Sequence, residues 1–299
     1  MTLTGLHVLL THRCTFRCDH CFVWGSPDQT LTFTRANLHA ALEQAAALDT
    51  IDGVYFEGGE PFLYYPILLD GVRAASAAGL HAGIVTNGWW ATTADDARAW
   101  LEPFAGSLGS LFVSTDELHY GERLSAEARN AQQACHALGI PVELIVCDLP
   151  QAPTATARHG AVVDGGGVMY RGRAAGKLAA QVPAQPWESF GECPHESLDD
   201  PGRVHLDPLG NLHLCQGLVM GNLFERPLKD IVAGYRPRKH PVVGPLLRGG
   251  PAELARSYGV PHADGYADAC HLCFTARLSL RSQFPDDLRP DAMYGEAAA

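Results

Sequence analysis

The chain has 299 residues, of which 46% are hydrophobic and 8% aromatic, enough for roughly two domains with buried cores. Its 22 Lys and Arg against 33 Asp and Glu leave a formal charge of −11, so no nucleic-acid partner is expected, and the basic cluster "YRPRKH" (235–240) reads as a solvated loop. The N-terminus shows no signal pattern and no apolar run reaches the ~18 residues that span a bilayer, so no membrane is expected and the expected location is cytoplasmic, where clustered cysteines are metal ligands more readily than disulfides.

Short apolar runs recur through the first half: "LHVLLT" (6–11), "GVYFEG" (53–58), "HAGIVTNG" (81–88), "SLFVSTDE" (110–117) and "PVELIVCD" (141–148). Such runs predict parallel strands buried on both faces. Helical periodicity fills the gaps. In "TRANLHAALEQAAAL", Leu38, Leu42, Ala45 and Leu48 share a face and Thr34 stands as N-cap. After a loop rich in Gly, Pro and Ala (148–165), "GGVMYRG" (166–172) predicts a sixth strand. The fold class so read is α/β, an open, TIM-like partial (β/α)6 barrel. From about residue 185 the pattern changes: "VHLDPLGNLHLC" (204–215) predicts a hairpin, "RPLKDIVAGY" puts Pro227 near a helix start, and "CHLC" ends at Cys273. The expected division is 1–185, the partial barrel, and 186–299, a smaller α+β domain.

In parallel α/β folds the chemistry sits at the C-terminal ends of the strands. There "CTFRCDHC" places Cys14, Cys18 and Cys21 after the first strand, "GGEP" (58–61) after the second, "TNG" (86–88) at the end of the third and "STD" (114–116) at the end of the fourth. Three thiolates on a short loop can hold three irons of a cubane and leave the fourth open. A zinc knuckle completed by His20 is the alternative, but zinc has no use for the other loops. The C-x3-C-x2-C spacing, with these motifs on successive strands, resembles the radical S-adenosylmethionine (SAM) superfamily over roughly residues 6–172. The resemblance implies a 4Fe-4S cluster on Cys14, Cys18 and Cys21 whose open iron chelates SAM. It implies SAM contacts from Gly58, Gly59 and Glu60 to the amino group, from Ser114 and Asp116 to the ribose, and further cofactor contacts from Thr86 and Asn87. His20 stands where an aromatic residue usually borders the adenine.

Cys193, Cys215, Cys270 and Cys273 form a second set, suited to a structural zinc or a fully ligated iron-sulfur cluster. The Cys-hairpin-Cys unit followed by "CHLC" resembles the twitch domain of radical SAM enzymes, a shortened SPASM domain, which implies an auxiliary 4Fe-4S cluster. Cys135 and Cys147 are left over and read as small buried hydrophobes. Arg171 and Arg173, ending the sixth strand, are positioned to hold the SAM carboxylate or an anionic substrate group, a surface ion pair being the alternative. Trp89 and Trp90 read as cavity wall or as core. None of the 14 histidines shows a Cys-His or Ser-His-Asp arrangement, and no catalytic side chain is assigned.

The function the resemblance implies is reductive cleavage of SAM to a 5′-deoxyadenosyl radical, which abstracts hydrogen from a substrate. Four thiolates on the second cluster would leave it no open iron, which favours net oxidation by electron transfer. The substrate expected is a small hydroxylated or amino metabolite or a ribosomal peptide. A peptide maturase making a cross-link or an epimer would need a separate leader-binding protein, since the first strand begins near residue 6. The expected electron donor is a reductant such as flavodoxin or ferredoxin. A non-catalytic iron-sulfur or zinc protein is the rival from another class.

Overall fold

The computed structural model describes residues 1–148 and 166–296. The first apolar run forms β1 (Gly5–Thr11), buried at every position as a strand covered on both faces must be. In α1 (Arg35–Ala46) the Thr34 hydroxyl accepts from the Asn37 amide, and Leu38, Ala41, Leu42 and Ala45 are buried. There follow β2 (Gly53–Gly58), α2 (Tyr65–Ala77), β3 (His81–Thr86), α3 (Ala94–Leu101), β4 (Ser110–Ser114), the single turn α4 (Glu117–Tyr120), α5 (Ala126–Leu138) and β5 (Val142–Ile145). Thr93 caps α3 and Ser125 caps α5, each accepting the amide three residues on. Strands β1 to β5 pair in parallel in chain order, which brings the loops after them to one edge.

The sixth strand departs from expectation. β6 (Cys147–Asp148) pairs with β7 (Gly166–Gly167) as a separate two-stranded ribbon, and the segment after Gly167 is not strand. Its backbone groups are used elsewhere: the Tyr170 amide donates to Asp268 and the Arg173 amide to the Cys21 carbonyl, leaving no continuous ladder to offer β5. Apart from Asp148, the loop expected over 148–165 lies outside the described residues.

Beyond α6 (Arg173–Lys177) and β8 (Gln185–Pro186), the chain forms β9 (Arg203–Leu206), β10 (Asn211–Cys215), β11 (Leu218–Asn222), α7 (Leu228–Gly234), α8 (Val243–Tyr258), β12 (Gly265–Tyr266) and α9 (Ala269–Leu280). The expected hairpin is β9–β10, with Asp207 closing its turn by accepting the Leu209 and Asn211 amides. The hairpin extends the main sheet: β9 lies parallel to β1, giving the open order β11-β10-β9-β1-β2-β3-β4-β5. One apolar core accordingly runs from Leu3 to Tyr294. Among the described residues no helix is long and apolar enough to cross a membrane.

Candidate functional site

A cavity of ≈ 240 Å³ opens where the ends of β1 to β5 converge, walled by Cys14, Cys18, Cys21, Gly58, Gly59, Thr86, Asn87, Ser114, Asp116 and His20. Of the cofactor contacts expected from sequence, only Glu60 and Arg173 lie outside this wall. The cysteine loop is pinned to the sheet. The Cys14 amide donates to Ser26 O at 3.0 Å and the Glu60 amide to Arg13 O at 2.8 Å. The three sulfurs carry no disulfide, and N–H donors already face two of them: Phe16 N at 3.4 Å and Asn87 Nδ2 at 3.6 Å from Cys14 Sγ, and Gly25 N at 3.2 Å from Cys21 Sγ. Burial pushes Cys14 up to about 12, and Cys18 rises further under burial and the neighbouring sulfurs. Three crowded sulfurs, with burial holding Cys14 and Cys18 against ionising alone and N–H donors aimed at Cys14 and Cys21, fit a cationic iron core that would draw them together.

The Gly58–Gly59 turn owes its glycines to close backbone approach. A Cβ on Gly59 would lie 2.1 Å from Arg13 O, so the second strand's end and the cysteine loop touch backbone to backbone. Glu60 is fully buried and turned away from the cavity. It accepts from Phe62 N at 3.0 Å, Asn87 N at 2.8 Å and the Thr86 hydroxyl at 2.8 Å, clamping the ends of β2 and β3 together. Burial raises its carboxyl to about 7 against these donors. The tryptophans divide: Trp90 is core, stacked on Phe62 at 4.5 Å, whereas Trp89 is half-buried, and neither walls the cavity.

Asp116 is buried at the start of α4, where it accepts from Leu118 N, His119 N and Cys147 N and pairs with the His119 ring. Burial alone would raise its carboxyl, but these donors and the imidazole hold it below the ordinary range. Its oxygens are therefore committed to the protein, and the cavity meets them beside His119 and His20, whose rings stand edge to face at 4.6 Å. Cys147, expected to be packing, packs against the Val168 and Tyr170 cluster and also lines the cavity.

Arg171 and Arg173 face opposite ways. Arg173 donates to Cys18 O at 2.5 Å and Gly25 O at 2.9 Å, so it holds the cysteine loop from behind. Gly172 lets the chain pass: a Cβ there would lie 2.6 Å from Phe22 Cα. Arg171 is buried and reaches the second cysteine set, donating to Cys215 Sγ at 3.0 Å and Glu196 at 3.1 Å. Cys193, Cys215, Cys270 and Cys273 all line one small pocket, with Arg277 Nη2 a further 3.8 Å from Cys215 Sγ. The structure thus gathers all four expected ligands, Cys193 included. Burial raises Cys193 to about 12 and lifts Cys270 and Cys273 as well. Two buried guanidiniums against four crowded sulfurs fit a thiolate-bound metal centre of net negative charge. Arg171 lines both this pocket and the central cavity.

A further group escaped the sequence reading. His7, Glu57 and His205 come together on β1, β2 and β9 in the same cavity wall. They lie 50 and 148 positions apart in the chain, so no spacing could have joined them.

Residues 8–146 match the sequence profile of the Radical SAM superfamily. A stretch of 111 residues is 26% identical to the putative peptide biosynthesis protein YydG of Bacillus subtilis (strain 168) and covers 37% of this chain; the match spans 35% of that protein's length. Among solved structures, SuiB of Streptococcus suis bound to S-adenosylmethionine superimposes with a TM-score of 0.51 at 12% identity, over 77% of this chain and 66% of that one. BtrN in complex with AdoMet and 2-DOIA gives a TM-score of 0.48 at 18% identity, over 77% and 82%. The likeness to SuiB is one of fold.

Proposed function

Because residues 8–146 belong to the Radical SAM superfamily, a domain that implies a 4Fe-4S cluster and SAM, we propose that the chain is an enzyme that abstracts hydrogen from a substrate and oxidises it. The observation that carries this reading is the single cavity in which Cys14, Cys18 and Cys21 meet the glycine turn of β2 and the polar ends of β3 and β4. When bound there, the cluster and SAM supply the 5′-deoxyadenosyl radical. The chain's own residues position it. Gly58 and Gly59 offer backbone to the SAM amino group, Ser114 and the Asp116–His119 pair face the ribose, His20 borders the adenine, and Asn87 donates toward the Cys14 sulfur. Glu60 braces these ends from behind rather than touching SAM, with Thr86 donating to it from the cavity wall. Apolar walls at Val85, Ile145, Val168 and Met169 keep water from the reacting centre.

Residues 186–299 serve as the auxiliary domain, holding a second 4Fe-4S cluster on Cys193, Cys215, Cys270 and Cys273. With four thiolates it would have no open iron, and the sharing of Arg171 by both walls supports a role as electron acceptor beside the substrate. A peptide substrate is favoured by the likeness to YydG over 111 residues, a small hydroxylated or amino metabolite being the other reading. In the peptide case a separate leader-binding protein is the expected partner, with a flavodoxin or ferredoxin as electron donor in either case.

The test is iron and sulfide content after anaerobic reconstitution, expected at about eight of each per chain. A Cys14→Ala, Cys18→Ala, Cys21→Ala variant should retain about half of that and lose SAM cleavage. About four irons with one zinc would overturn the auxiliary cluster and leave the first standing.

A further inference from the structure

The SAM reading draws on the ends of β2 to β5 and leaves a second polar wall of the cavity unused. His7 on β1 is in register with His205 on β9, and Glu57 lies on β2 alongside. Glu57 Oε1 is 3.1 Å from His7 Nδ1 and 3.1 Å from His205 Nε2. Tyr55 stacks on the His7 ring at 4.8 Å and holds its plane, while Gln216 Nε2 approaches the His205 ring at 3.4 Å. His7, Glu57, His205 and Gln216 all line the cavity and are 2%, 8%, 6% and 3% exposed. Burial would raise the Glu57 carboxyl, but the two imidazoles outweigh it and keep the group ionised, while burial holds His205 down to about 4 and so neutral.

This wall does not close on itself. Both imidazoles meet Glu57 at Oε1, and among the described residues no donor reaches Oε2. His7 Nε2 and Gln216 Oε1 are buried without a partner. Glu57 Oε2 and Gln216 Oε1 are acceptors, and a His7 ring in the neutral form that donates through Nδ1 offers a third at Nε2. Arg171 and Arg203 line the same cavity, but each reaches Glu196, at 3.1 and 3.4 Å. A buried carboxylate served only by imidazole N–H groups, beside two further orphan acceptors, lacks a multi-donor cation. A protonated primary amine carries three N–H donors and no acceptor; a hydroxyl carries one donor and brings unpaired lone pairs of its own.

We propose that His7, Glu57, His205 and Gln216 form the substrate subsite, and that it takes a protonated primary amine. The assignment rests on the SAM reading in one respect: SAM's own amino group goes to the Gly58–Gly59 turn, leaving this wall to the second reactant. The amine belongs either to a free amino metabolite or to a peptide side chain, and its carbon skeleton lies along the apolar wall of Val168 and Met169.

The experiment uses the reconstituted holoenzyme with SAM and measures the affinities of n-butylammonium and neutral n-butanol by anaerobic saturation-transfer NMR. The amine should bind about tenfold or more tighter than the alcohol, as a charge-assisted contact requires. Glu57→Gln should erase that preference and leave SAM affinity unchanged, and Gln216→Leu, which spares the His–Glu contacts, should reduce it. Parallel titrations with glucosammonium and with the capped tripeptide Ac-Ala-Lys-Ala-NH2 identify the source by the tighter ligand. Equal binding of amine and alcohol, or a preference that survives Glu57→Gln, overturns the proposal. So does a fall in SAM affinity with Glu57→Gln, which would make this wall the SAM amine site. A stoichiometric divalent ion lost in Glu57→Gln would overturn it too, the three groups then being metal ligands. If wild type binds no SAM yet still prefers the amine, the SAM reading fails and the subsite stands.

Discussion

Replacing Glu60 with glutamine tests the clamp that joins the ends of β2 and β3 beneath the cavity. The carboxylate takes Phe62 N on Oε1 and Asn87 N on Oε2, with the Thr86 hydroxyl within 3.0 Å of both. Thr86 cannot reverse its bond, because its oxygen already accepts from Gly88 N and Trp90 Nε1, both at 3.1 Å, so its proton points at Glu60. A glutamine amide keeps one oxygen and turns its NH2 toward the other backbone amide. One buried N–H then loses its acceptor at a cost of about 1–3 kcal/mol, with no change in side-chain volume. At about 2–4 °C per kcal/mol for chains of a few hundred residues, Tm should fall by about 2–12 °C. The assay is thermal unfolding of anaerobically purified protein near pH 8, above the value of about 7 to which burial raises Glu60, so that the wild-type group is the carboxylate. Iron content is measured in parallel, since Asn87 also faces the Cys14 sulfur. A variant with full iron content and a Tm within about 1 °C of wild type would refute the clamp.

Gly59→Val should cost iron at the first cluster as well as SAM affinity, because its Cβ would lie 2.1 Å from Arg13 O and displace the cysteine loop; full iron content in the folded variant would contradict this. A Cys270→Ala, Cys273→Ala variant should still cleave SAM to deoxyadenosine while product formation fails, and a full product yield would make the second centre structural only. His205 is held down to about 4 by burial against an unfolded value near 6.5, so the unfolded chain binds more protons between these values and stability is lost as pH falls through that window. The loss amounts to up to about 3 kcal/mol, and His205→Gln should show a shallower decline of Tm below about pH 6.5 than wild type, an equal slope disproving the assignment.

What depends on near neighbours along the chain is legible in the residues themselves. The first five strand runs, the Thr34 cap, the hairpin around Asp207 and the C-x3-C-x2-C loop are all local, and each appears where its residues predict it. The order of the motifs on parallel strands was enough to bring them to one edge, since consecutive βα units place their loops on the same side. Side-chain direction was not legible. Glu60 stands in a cofactor motif but spends its oxygens on backbone amides, and Arg173 turns from the cavity to the carbonyls of Cys18 and Gly25. Both choices answer the need of buried backbone groups for partners, which only the folded loops reveal. Tertiary structure alone decided that β9 lies beside β1, because strand neighbours far apart in sequence are selected by packing and ladder pairing rather than by periodicity. That pairing carries His205 to His7 and Glu57 and brings Cys215 within reach of Arg171, and so creates both the second wall of the cavity and its contact with the second cysteine pocket.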